Sequence, residues 1–430
     1  MPPIPIEARR RHTAANLAAL TLANAFIFQE QLADADSQVE PIRRLLSQRD
    51  FQGRTADHWK FICDNINYIP IFHLARDVLL AIPSNADTAK ALRTLAQQAL
   101  DIVSERAALR HDLMGRVYHY LLLEAKYLGT FYTSVPAATL LLKLALSPTH
   151  WNIDWSDPQA LRKFLTADLA CGTGTLLMAA SQAITDNFVR SSVKKGKPVD
   201  DAALRGLHQV IMEDILHGYD VLPSAVHLTA STLALLAPEI AFRKMQLYVM
   251  PMGKLPDNKI YLGSIEYLHG DTVETQLDLM GQIAAGGAAA AIGGRGTAAS
   301  IAPVPKLDLC VMNPPFVRSV NSNLLFGSMP QWRTEMQAEL RRRLRPVGGQ
   351  EVFASTTAGL ASVFAAVGDK HLKPDGRMAL VLPAAIMSGG AWQKTRILFD
   401  NSYDLEFIVA SHDATRWAFS ENTDLRAVSV

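Results

Sequence analysis

Little in this 430-residue chain points away from an ordinary folded interior. Cysteine is scarce: Cys63, Cys171 and Cys310 are odd in number, far apart and never in C-x-x-C spacing, which argues against a disulfide framework or a zinc site and for a reducing cytoplasm. Charge is scarce and balanced, with 19% charged residues and a formal net charge of +1, so no bulk basic field advertises nucleic acid, and any such contact must come from local patches. No apolar run reaches membrane-spanning length, and the proline-rich start, Met1 to Ile6, has no apolar core behind a basic stretch, so the reading is neither secreted nor embedded. What the chain does have is apolar side chain: at 49% hydrophobic residues it can bury a large core and fill two domains.

Residues 11 to about 128 read as helix after helix, with Leu17, Leu20, Leu22, Ala25 and Phe26 in helical spacing, and predict an all-helical first domain over residues 1–128. Gly129 ends that texture, and a turn-like insert from Thr130 to Pro136 precedes an apolar helix, Ala137 to Leu146. Residues 129–430 then alternate short apolar strands with helices, which predicts an α/β fold with a mostly parallel sheet covered on both faces. The strands expected are Phe164 to Leu169, Ile215 to Tyr219, Tyr261 to Leu268, Leu307 to Met312, Arg377 to Leu382 and Leu405 to Ala410. A seventh, Leu425 to Val430, begins just where the chain stops, so an exposed edge and a truncated carboxyl end are expected. Gly281 to Ser300 is almost entirely alanine and glycine and reads as a mobile loop, or as a short alanine helix from Gly287 to Ile292.

Ala167-Asp168-Leu169-Ala170-Cys171-Gly172-Thr173-Gly174 sets two glycines between a strand and a helix, where backbone can approach the charged end of a ligand. An ordinary strand-to-helix turn has the same look. A dinucleotide fingerprint wants a third glycine where Leu177 stands, so pyrophosphate is disfavoured. Asp168 ahead of the loop suits a ligand that carries an ammonium beside its carboxylate, as methionine does. Asp220, at the end of the next strand, can accept both hydroxyl protons of a ribose. Its wide separation from the loop reflects an insertion around Ser191 to Ala203, whose Lys194, Lys195 and Lys197 read as a solvated loop rather than a DNA clamp. Asp271 either bonds an adenine amino group from the third strand end or is a solvent-facing turn residue.

Asn313-Pro314-Pro315-Phe316, directly after the strand Leu307 to Met312, is the most specific feature. An exocyclic ring amine is a poor nucleophile because its lone pair is delocalised into the ring, and attack on a methyl sulfonium needs that pair localised. The amide oxygen of Asn313 and the carbonyl of Pro314 are two acceptors for the two amine hydrogens. The prolines fix the direction of that carbonyl in advance, and Phe316 offers a stacking face for a base flipped out of its duplex. The bland alternative is a proline turn that stops a strand. No metal or covalent nucleophile is called for.

Taken in order, these motifs over residues 110–430 resemble the gamma-type DNA adenine-N6 methyltransferases, close to the modification subunits of type I restriction systems and related fused enzymes. Gly129-Thr130-Phe131-Tyr132-Thr133, after a helical Met114 to Tyr118, is similar to the family's first cofactor motif, with the usual Tyr-Thr-Pro spread here over Tyr132-Thr133-Ser134-Val135-Pro136. The resemblance implies a Rossmann-like methyltransferase sheet of seven strands with the last antiparallel, behind a helical amino-terminal domain. It implies S-adenosyl-L-methionine as cofactor, held by Tyr132, Thr133, Asp168, Ala170, Gly172, Gly174, Asp220 and Asp271, and catalysis by Asn313, Pro314, Pro315 and Phe316. Double-stranded DNA is the implied partner, with a specificity, nuclease or helicase subunit or region beyond residue 430. Arg341, Arg342, Arg343 and Arg345, on an expected helix, either meet phosphates or form a solvated face, and Arg9-Arg10-Arg11 either touches DNA or is a disordered start. Other planar nitrogens remain open as substrates (an RNA guanine amine, a cytosine N4 amine, a protein glutamine amide), as does a non-catalytic DNA-binding subunit of the same fold.

Overall fold

The computed structural model describes residues 6–66, 68–105, 132–237, 240, 242, 245–255, 258–270, 272–275, 300–317, 325–327, 329–346, 351–410, 420–421 and 427–429. Five helices come first: α1 (Ile6–Ala35), α2 (Ile42–Leu46), α3 (Phe51–Asn65), α4 (Ile69–Ala81) and α5 (Ala86–Ser104). Their apolar stripes meet around Phe26, Phe28, Phe51, Trp59 and Phe72, all 2% exposed or less. The buried indole of Trp59 donates to Gln29 Oε1 (2.8 Å), and the Gln29 amide in turn donates to the Glu40 carbonyl, so this aromatic core contains no stranded donor at its widest side chain. The expected helical front is therefore present. The expected border at residue 128 and the Gly129 to Phe131 segment lie outside the described residues.

A seven-stranded sheet follows, from β1 (Thr166–Asp168), β2 (Leu216–Asp220), β3 (Gln246–Val249), β4 (Leu307–Met312), β5 (Leu372–Pro383), β6 (Val409–Ala410) and β7 (Ala427–Ser429). The spatial order is β6-β7-β5-β4-β1-β2-β3. β3, β2, β1, β4 and β5 are mutually parallel, whereas β7 runs antiparallel to both β5 and β6. Helices α6 (Val135–Ala145), α7 (Thr175–Lys194), α8 (Asp201–Val210), α9 (Pro223–Ala234), α10 (Arg333–Arg343), α11 (Leu360–His371) and α12 (Gln393–Ser402) lie between or before the strands. From β1 the chain steps outward through α7 to β2 and through α9 to β3, and from β4 it steps the other way through α11 to β5. Right-handed crossovers in opposite directions put these two sets of helices on opposite faces. Strand order reverses between β1 and β4, which opens a crevice at their carboxyl ends.

Two expectations are corrected. The third sheet strand is Gln246–Val249, not Tyr261 to Leu268: residues Ile260–Leu262 pair only with Met252–Lys254 in a small hairpin, and Gly263–Leu268 is a 3-10 turn. Gly263, with φ +67, breaks the extended run there. The seventh strand is not an exposed edge either, because Ala427–Ser429 inserts between β5 and β6 and is hydrogen-bonded on both sides. Of the alanine-glycine segment only Ser300 is described; it opens Ser300–Pro303, the antiparallel partner of Thr272–Thr275. All three cysteines are free, and no described helix is long and apolar enough to cross a membrane.

The helical front packs on α9. Asn24 of α1, fully buried, donates through Nδ2 to Ser231 Oγ (2.6 Å) and faces His227 Nε2 at 2.9 Å, and Tyr68 donates its hydroxyl to the Ile240 carbonyl (2.6 Å). His227 and Ser231 are one helical turn apart, so a single side chain spans both. Buried polar groups that lose their partner cost the desolvation they suffered without recompense, so Asn24→Ala is expected to lower unfolding stability by about 1–3 kcal/mol. Urea unfolding followed by circular dichroism measures this, and an unchanged midpoint would remove the bond's assigned role.

Candidate active site

Three strand ends meet at the crevice. β1 is in register with β4 through Thr166 and Leu309, Ala167 and Cys310, and with β2 through Asp168 and Gly218, so the segments leaving all three strands emerge side by side. The structure thus brings together Asp168, Ala170, Gly172 and Gly174 after β1, Asp220 closing β2, and Asn313 to Phe316 after β4.

Gly172 and Gly174 adopt left-handed backbone, φ +54 and +83, and Gly174 caps α7. The two glycines are needed for different reasons. A Cβ on Gly174 would sit 2.8 Å from Thr229 Cγ2, so the site is closed by packing. A Cβ on Gly172 would meet nothing within 4 Å, so this glycine faces open space where a ligand can approach the backbone. Asp220 secures the loop from the neighbouring strand: its Oδ2 accepts from the Gly172 amide (2.9 Å) and its Oδ1 from the Leu222 amide (2.9 Å). Beyond these backbone amides the carboxylate keeps some acceptor capacity.

Asp168 is 1% exposed and accepts from the Ala170 amide (3.0 Å). Burial pushes its carboxyl up to about 8, with the nearby Asp220 adding to the rise and the Ala170 amide opposing it. Burial also raises the Asp220 carboxyl, against the pull of three backbone amides. Two desolvated carboxyls thus flank one glycine loop.

On the other side of the crevice, Asn313 Nδ2 donates to Thr133 Oγ1 at 2.9 Å. Thr133 is buried in the short strand Tyr132–Thr133, which pairs antiparallel with Ser420–Glu421, immediately before α6. The bond ties the Asn313 side chain to the segment ahead of α6, with the amide oxygen turned away from Thr133. Pro136 occupies the first turn of α6, where a missing N–H costs nothing. Pro314 is buried and Pro315 half-buried. Phe316 is 2% exposed, so a base reaching its ring has to displace the packing that covers it. The carboxyl end of the motif is tied down by the Leu360 amide, which donates to the Val317 carbonyl (3.0 Å).

Asp271 lies outside the described residues, and the β3 end to which a third-strand contact would belong is Val249. The basic groups largely have protein partners. Lys195 pairs with Asp154 (2.7 Å) and Lys197 donates to the Ser156 carbonyl. Arg342 and Arg343 both pair with Glu339, and Arg343 also with Glu266 (2.8 Å), fastening the turn before residue 271 to the helix that follows the Asn313 loop. Arg341 and Arg345 are exposed. Thr229 was not legible as a site residue, since a threonine inside a helix carries no motif.

The two glycines give a stability prediction. Gly172→Ala is expected to cost about 1 kcal/mol, the left-handed backbone penalty alone, whereas Gly174→Ala adds a steric clash and is expected to cost at least about twice as much. Thermal unfolding of the ligand-free variants decides it: equal losses would contradict the distinction between an open and a packed glycine.

No family model and no curated protein matches the chain. Its fold is shared with solved structures. The type IIL restriction-modification enzyme MmeI, in complex with DNA, aligns over 99% of this chain and 57% of its own, with 16% identity and a TM-score of 0.51. The DrdV–DNA complex aligns over 99% and 40% with 13% identity and a TM-score of 0.49. A type I restriction-modification methyltransferase subunit from Streptococcus thermophilus aligns over 98% and 84% with 14% identity and a TM-score of 0.43. The chain thus spans 57% of the MmeI chain and 40% of the DrdV chain. At these identities the likeness is one of fold alone, and it is carried by MmeI: an α/β fold with a mostly parallel, Rossmann-like central sheet.

Proposed function

We propose that this chain is the methyltransferase part of a restriction-modification or phage-defence enzyme and transfers a methyl group from S-adenosyl-L-methionine to the N6 amine of adenine in DNA. The observation that carries the reading is the juxtaposition at the strand reversal: a glycine loop with two desolvated carboxyls on β1 and β2 beside an Asn-Pro-Pro-Phe acceptor loop on β4. The fold likeness to MmeI and the nature of that enzyme are consistent with it.

The residues present fit the cofactor. Asp168 answers its ammonium, the open face of Gly172 its carboxylate, and Asp220 its ribose hydroxyls. When bound there, the cofactor supplies an electrophilic methyl group on a positively charged sulfur. The chain's own task is the amine: Asn313 Oδ1 and the Pro314 carbonyl accept its two hydrogens and so localise its lone pair toward the donor. Thr133 holds Asn313 in the orientation that makes this possible. The target base has to leave its duplex to reach these acceptors, with Phe316 as its stacking partner.

Incubation of the protein with radiolabelled cofactor and duplex DNA, followed by nucleoside analysis, is expected to yield labelled N6-methyladenine. Label in cytosine, in RNA or in protein would redirect the substrate, and label in none would favour the non-catalytic reading. Asn313→Ala is expected to abolish transfer while cofactor affinity stays within about twofold, since one acceptor of a charge-developing amine is lost and no cofactor contact is. The elevated Asp168 carboxyl sets a pH dependence. At about pH 6 it is mostly protonated, and an ammonium ligand binds better as the carboxylate forms, so affinity is expected to rise from about pH 6 to about pH 7.5 with a slope approaching tenfold per unit. Calorimetry across that range is expected to show the slope in the natural protein and its absence in Asp168→Asn; a flat natural profile contradicts the ammonium assignment.

A further inference from the structure

Both ends of the Gly172 residue are held by groups from the next strand-helix unit. Its amide donates to Asp220 at the end of β2, and its carbonyl accepts from the Thr229 hydroxyl on α9 at 2.8 Å. Thr229 is fully buried, and its methyl group stands against Gly174, so closely that a Cβ there would come within 2.8 Å of it. A threonine inside a helix ordinarily returns its hydroxyl to a carbonyl of the preceding turn. Here the hydroxyl leaves the helix, and one side chain engages both glycines of the loop by two different contacts. The opposite face of α9 carries His227 and Ser231, which Asn24 of the helical front engages. The helix that presents Thr229 is thus braced from behind.

We infer that Thr229 is a positioning residue for the cofactor loop: its hydroxyl, bonded to the Gly172 carbonyl, sets the direction of that peptide so that the loop is shaped before the ligand arrives, while its methyl fills the space beside Gly174. The inference rests on the reading of this loop as the cofactor site. A preshaped loop spares the ordering cost on binding, so removal of the hydroxyl loosens the loop and weakens the ligand.

The test uses the full chain with Thr229→Val, which keeps the shape and removes the donor, and Thr229→Ser, which keeps the donor and removes the methyl. Titration calorimetry with S-adenosylhomocysteine is expected to show affinity lowered on the order of fivefold in Thr229→Val, the effect of one lost hydrogen bond, and within about twofold of the natural protein in Thr229→Ser. Hydrogen exchange of the ligand-free proteins is expected to show the amides of residues 172–174 opening faster in Thr229→Val alone. If Thr229→Val does not fold, Thr229→Ala against Thr229→Ser isolates the hydroxyl in the same way. Equal affinity in all variants, or a lower melting temperature with unchanged affinity, overturns the inference and leaves a structural threonine. If the natural protein binds no cofactor product, the functional reading fails, and the exchange measurement still reports whether Thr229 orders the loop.

Discussion

The parallel ladder between β1 and β4 is the constraint on which the rest depends. These two strands are far apart in sequence, yet pairing Thr166 with Leu309 and Ala167 with Cys310 makes their carboxyl ends neighbours at the one place where strand order reverses. A slip of one residue would turn every side chain of β4 to the other face and carry Asn313 with it. Leu307, Leu309, Cys310, Val311 and Met312 are all fully buried, so both faces of β4 are covered and a slip would misfit close-packed side chains and carry the partly exposed Asp308 inward. At the amino end the Asp308 carboxylate accepts from the Leu165 amide (2.7 Å) and from Lys373 Nζ (2.6 Å), which ties β1, β4 and β5 together below the crevice.

Above that frame the site is built from polar groups that answer one another. Asp220 holds the Gly172 amide, Thr229 its carbonyl, and Thr133 the Asn313 amide. Desolvation is what makes these contacts matter, because among buried groups one with a partner is rigid and a charge without one is costly. Asp168 is the clearest instance: burial opposes its ionisation, and the Ala170 amide offsets part of that cost. The helical front contributes at one remove, through Asn24 on the back of α9.

Much of this was legible in the sequence where local chemistry dominates. The β4 strand, Leu307 to Met312, has the expected ends because an apolar run broken only by Asp308 stops at Asn313-Pro314, and proline cannot extend a ladder. The glycine loop was legible because two left-handed turns in succession leave few residues but glycine. β3 is not legible because Gln246-Leu247-Tyr248-Val249 is only four residues long and opens on a polar one, while Tyr261 to Leu268 has strand composition and is broken by the backbone of Gly263. Thr229 was missed for a deeper reason, since its role exists only once α9 packs on the loop. For the arginines of α10, phosphate contact and a solvated face both stay open in the sequence, which shows charge and not partners: Glu266, which engages Arg343, lies 77 positions away.

The account stands or falls on where Asn313 points when donor and target are both bound. A crystal structure of the protein with S-adenosylhomocysteine and an adenine-containing duplex is expected to show an extrahelical adenine whose N6 lies within hydrogen-bond distance of Asn313 Oδ1 and the Pro314 carbonyl, on the side facing the cofactor sulfur. A cofactor product seated away from the glycine loop, or an Asn313 turned from the base with its amide oxygen engaged elsewhere, would contradict it.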